Sequence, residues 1–98
     1  MSPSSQPAPS REKLTALYRS LKLLLSAETK LAEKVCRTRL ALEALEEAEW
    51  RGERVQREDL AAARRRWMKA DMKLLHVRRA IALNHSVRGK LLRTRGGL

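Results

Sequence analysis

The 98-residue chain has no phenylalanine and only three aromatic residues, Tyr18, Trp50 and Trp67. Stacking of exposed bases on aromatic platforms, the usual grip on single strands, therefore has little to work with. A single cysteine, Cys36, closes no internal disulfide and supplies no metal site; it reads as a buried small hydrophobe in a chain not built for an oxidising compartment. All three prolines fall in the first nine residues, so nothing beyond them interrupts a helix through proline. Glycine is confined to Gly52, Gly89, Gly96 and Gly97. No apolar run approaches the roughly 18 residues of a membrane span. His76 and His85 have no Cys or paired carboxylate nearby, and no phosphate loop, Ser-His-Asp set or metal spacing is present. The expectation is a protein that is not an enzyme and uses no metal or cofactor.

What is abundant is positive charge. Lys and Arg number 22 against 11 Asp and Glu, giving +11 and a pI near 11.1. Such a balance suits a partner that is a polyanion. The charge is also segregated: residues 10–42 sum to +5, residues 43–59 to −4 and residues 60–98 to +10. A chain this short buries a low fraction of its surface, so help from a partner is expected.

Residues 1–9, MSPSSQPAP, read as a disordered lead. A first helix is predicted over residues 10–50, with Ser10 as N-cap. Its apolar register runs Leu14, Leu17, Leu21, Leu24, Leu31, Val35, Leu42 and Leu45, with Glu28 and Thr38 as polar interruptions. Tyr18, Leu25, Ala32 and Cys36 widen this stripe on one flank. Gly52 suits the left-handed position that closes a helix, so a turn is expected over residues 51–55. A second helix is predicted from residue 56 to 93, opened by Glu58 and Asp59, with Val55 stapled onto Leu60. Its seam is Ala63, Trp67, Ala70, Leu74, Val77 and Ile81. Gly89 falls in its last turns, and Gly96-Gly97 opens a disordered tail over 96–98.

Two long helices joined by a short turn make an all-α antiparallel helical hairpin over residues 10–95. Both apolar stripes are wider than one partner helix covers, which predicts a homodimer closed as a four-helix bundle. Leu24, Leu31, Val35, Trp67, Leu74 and Ile81 are its expected core and dimer residues. With the turn centred near residue 54, Glu43, Glu46 and Glu47 should lie near Arg64, Arg65 and Arg66, so that part of the RRR run forms salt bridges. Away from the turn nothing neutralises the bases. Arg19, Lys30, Arg37, Arg65, Lys69, Lys73, Arg78 and Arg79 are the expected nucleic-acid contacts.

Cations spread over six or more turns suit a duplex recognised through its phosphates and, in RNA, its 2′-hydroxyls; base-specific reading uses a short cluster at one helix end. Ser26, Thr29, His76 and Ser86 are candidate hydroxyl partners. The expected footprint is about 16 to 18 base pairs.

In architecture and charge, residues 10–95 resemble the nodavirus family of double-stranded-RNA-binding suppressors of RNA silencing. No sequence motif is shared, so the resemblance transfers no site residue. It implies a hairpin that dimerises into a four-helix bundle, lies along an RNA duplex and shields it from dicing and small-RNA loading.

Two competing readings use the same residues. In one, Met68, Met72, Leu75 and Leu83 form a groove for a partner helix, making the protein an interaction adaptor. In the other, an amphipathic helix lies on anionic lipid. A cytoplasmic location is expected. The first 27 residues hold one acid, Glu12, and share the Ser-rich basic character of mitochondrial presequences, but their amphipathic pattern continues unchanged to residue 45.

Overall fold

The computed structural model describes the backbone of residues 9–96 and the side chains of residues 11–94. Two helices account for nearly all of it: α1, Pro9–Trp50, and α2, Arg57–Gly96. They run antiparallel as a hairpin within a body of 79 × 21 × 15 Å. Helix α1 begins one residue before the expected cap, which places Ser10 inside the first turn. Helix α2 continues unbroken through Gly89 and ends three residues later than expected. The expected lead falls outside the described residues except for Pro9, as do Gly97 and Leu98 of the tail.

The reversal follows from one glycine. Gly52 has φ of 84°, a conformation costly for any residue with a Cβ. This lets the Gly52 amide donate to the Glu49 carbonyl and the Glu53 amide donate to the Ala48 carbonyl, both at 3.0 Å. These are the paired bonds of a Schellman motif, and they satisfy carbonyls that α1 would otherwise leave open. Four residues later the Gln56 carbonyl accepts from the Leu60 amide at 3.2 Å, starting α2. Val55 packs against Leu42, Leu60 and Ala63, fixing the angle at which the chain enters α2.

The seam between the helices repeats in sevens. Leu14 and Leu42 are buried on α1; Leu60 and Leu74, then Ala63, Ala70 and Asn84, are buried on α2. A strict seven-residue repeat keeps the seam facing the partner helix along its length. Leu24, Leu31, Val35, Trp67 and Ile81 are half-buried along the same line, and Leu74 is only 5% exposed.

Most polar groups on the seam have a partner; among the described residues the exception is Trp67 Nε1, which is buried with none. Arg78 reaches across to Glu28 at 3.4 Å, and the Thr38 hydroxyl donates to the Lys34 carbonyl at 2.8 Å. Asn84, 6% exposed, donates through Nδ2 to the Leu17 carbonyl at 2.9 Å and accepts from Arg88 Nε at 2.7 Å. The Arg88 guanidinium then lies over Tyr18, 5.1 Å from the ring centre. A single seam asparagine with a cross-helix partner penalises every shifted register, because sliding α2 leaves its amide buried and unbonded.

Cys36 is exposed, contrary to the expectation of a buried hydrophobe. It directly follows the seam residue Val35 and so falls on the flank, where α2 does not reach. No helix among the described residues is long and apolar enough to cross a membrane.

Candidate nucleic-acid interface

Because the seam repeats in sevens, the residue before each seam position lies on one face of the hairpin and the residue after it on the other. The preceding flank is basic. On α1, from residue 13 to 48, it carries Lys13, Lys30, Lys34 and Arg37; on α2, from residue 62 to 90, it carries Arg66, Lys69, Lys73 and Lys90. Neither stretch holds an Asp or Glu on this flank. None of these eight side chains takes part in an ion pair among the described residues. Six of the eight gather in the middle, around a shallow groove of about 320 Å³ lined by Lys34, Thr38, Arg66, Lys69, Ala70 and Lys73. Ala70, buried on the seam, forms the groove's floor and leaves the cations standing on its rim.

Between this group and the end pair Lys13 and Lys90, the flank holds no Lys, Arg, Asp or Glu. Ser20, Ala27, Ala80 and Val87 lie there, with Leu23 and Leu83 exposed at 74% and 66%. The two charged groups stand about 25 Å apart by helix rise.

The following flank differs in kind. It holds Lys22, Arg39, Arg64 and Arg78 together with Glu43, Glu46 and Asp71. Most of these charges are engaged: Arg39 with Glu43 at 3.0 Å, Arg64 with Glu46 at 4.0 Å and Arg78 with the seam residue Glu28. Arg39 also lies over Trp67, 5.0 Å from the ring centre. Large apolar groups fill the spaces: Tyr18, Leu25, Met68, Leu75 and Leu92 are each about half exposed, and Trp50 is 90% exposed.

The expected contact residues therefore separate. Lys30, Arg37, Lys69 and Lys73 come together on the basic flank. Arg19, Arg65 and Arg79 occupy the outer edges of the two helices. Arg78 lies on the opposite flank, bonded to Glu28. Lys34 and Arg66 belong to the basic group although neither was expected there.

Only one of the anticipated salt bridges across the turn forms. Glu43 pairs instead with Arg39 inside α1 at 3.0 Å and Glu47 with Arg51 in the turn at 3.1 Å, and Arg65 and Arg66 form no ion pair among the described residues. The expected partner-helix groove also divides: Met68 and Leu75 share the mixed flank, Met72 lies on the outer edge and Leu83 on the basic flank.

Among the described residues no group of three or more His, Cys, Asp or Glu side chains is placed to hold a metal ion. A scan against family models gives no match, and neither curated proteins nor solved structures show a similar chain.

Proposed function

We propose that this protein binds double-stranded RNA without regard to sequence, as a homodimer, through the basic flank. The single observation that carries the reading is a face with eight cations and no carboxylate over most of its length, beside a face of mixed sign on the same two helices. Unpaired cations on a rigid surface release condensed counterions when they meet phosphates, which supplies affinity independent of sequence. The surface is built from two long helices, with no further element among the described residues to project into a major groove. It suits the wide, shallow minor groove of A-form RNA and the phosphates that border it. From Lys13 to Arg37, and from Arg66 to Lys90, the cations span about 36 Å by helix rise. That is close to one turn of a DNA duplex, about 34 to 36 Å, and shorter than the footprint expected from the full helix length.

Shielding duplex RNA from processing enzymes, as in a viral suppressor of RNA silencing, is the biological role that such binding would serve. A mobility-shift comparison of duplex RNA, duplex DNA and single strands of matched length tests the binding. Expected are a preference for duplex RNA, indifference to its sequence and a steep fall in affinity with salt. Strong selection of one sequence, or no retardation of any duplex, would overturn it. Sedimentation at micromolar concentration tests the assembly, and a folded monomer there would count against the homodimer. Capture of a different protein on the mixed flank would favour the adaptor role instead.

A further inference from the structure

The two flanks lie on opposite sides of a thin body, and only one of them suits a second copy of the chain. In a two-fold contact each patch meets itself. On the basic flank, Lys34, Arg66, Lys69 and Lys73 would meet their own copies with no carboxylate between them. The mixed flank can complement itself, since Arg39 and Arg64 lie beside Glu43 and Glu46, and like-charge contacts are avoided by a small shift. It also presents Trp50, Met68 and Leu75, with Trp50 almost wholly exposed; large aromatic side chains of this kind anchor protein interfaces. A face 21 Å wide on helices about 60 Å long exceeds the roughly 800 Å² per partner of a standard interface.

We infer that two copies joined through the mixed flank turn their basic flanks outward in opposite directions, and that the dimer holds two RNA duplexes at once, bridging them. This rests on the duplex-binding reading and adds to it a stoichiometry and a geometry. Two layers of helices whose axes are 8 to 10 Å apart make a slab about 20 Å thick. A duplex stiff over lengths on the order of 150 base pairs, the value for DNA, cannot fold around such a slab. Each outer face therefore takes its own duplex.

The test mixes two populations of RNA duplex of about 20 base pairs, two helical turns, one carrying a fluorescence donor and the other an acceptor, with the full-length protein. Energy transfer between duplexes is expected, greatest near one chain per duplex and falling away in large protein excess as each duplex finds its own dimer. Trp50→Glu and Leu75→Glu, each checked for helicity by circular dichroism, should abolish transfer while a single duplex is still retarded. Using two exposed positions guards against one variant failing to fold. Lys69→Gln with Lys73→Gln should lose retardation and transfer together. Saturation at two chains per duplex without transfer would overturn the bridging and leave duplex binding intact. A monomer binding one duplex would do the same, and no retardation at all would remove both.

Discussion

The two flanks of this hairpin are made by the same helices, and corresponding positions are separated by only two residues across each seam residue. Lys34 precedes Val35 and stands free over a groove; Cys36 follows it on a surface of apolar groups and paired charges. Helical geometry turns so short a step into a change of face. The lesson is that net charge describes this protein poorly. Its +11 is divided between a flank whose cations form no ion pair among the described residues and one where most of them are already engaged.

The strongest way to break the comparison is to remove the seam that holds both flanks in place. Leu74→Ala empties a buried site and should cost about 2 to 5 kcal/mol, lowering the melting temperature and weakening both duplex binding and self-association. Loss of only one of the two would mean that the flanks do not depend on a common core.

A narrower change acts on the basic flank alone. Replacing Arg66, Lys69 and Lys73 together with Gln should lower duplex affinity by on the order of a hundredfold and reduce the slope of log affinity against log salt by about 2 to 3. Fluorescence anisotropy over a salt series measures both. Thermal stability should stay within about 0.5 kcal/mol, since all three are exposed. An unchanged salt slope would remove these residues from the contact.

Asn84→Ala should cost about 1 to 3 kcal/mol by leaving buried polar groups unpaired. Asn84→Leu should recover much of that stability but loosen the register, which cysteine pairs placed across the seam would detect as crosslinks at shifted positions. A single register in the Leu variant would show that Asn84 does not select it. Smallest of all, Arg64→Gln breaks an exposed pair held at 4.0 Å and should change stability by less than about 0.5 kcal/mol and leave duplex affinity nearly unaltered. A large loss of binding would move Arg64 into the contact surface.

The helices, the turn at Gly52 and the apolar seam were legible in the sequence, because periodicity and a lone glycine express local backbone geometry directly. The division into flanks was legible only in part. Placing the turn near residue 54 put α2 about two residues out of step: Arg39 lies opposite Trp67, Glu28 opposite Arg78 and Tyr18 opposite Arg88. Matching charges by level alone also ignores the side of the seam: Arg66 precedes Trp67 and Arg78 follows Val77, so the two lie on opposite flanks, and Arg78 meets Glu28 where a turn at residue 54 would set it beside Lys30.

The carboxylates near the turn added to the error. A partner four residues away along the chain is already in position, so Glu43 pairs with Arg39 inside α1 and Glu47 with Arg51 just past its end before the opposite helix is reached. Asn84 is polar and so carries no apolar signal, although continuing the seam from Val77 by seven reaches it. Arg88, on the seam seven residues after Ile81, is hidden for the same reason.

The turn also sets a direction in which the hairpin closes. Val55, Leu60 and Leu42 meet across a short loop, and short loops close at the lowest entropic cost. Each further layer toward Leu14 joins residues more distant in sequence, so the helices should zip outward from Gly52. The pair Lys13 and Lys90 then assembles last and opens first. Amide hydrogen exchange should record this as protection declining steadily from the Leu42–Leu60 end toward the far end, with a local rise where Asn84 holds the Leu17 carbonyl.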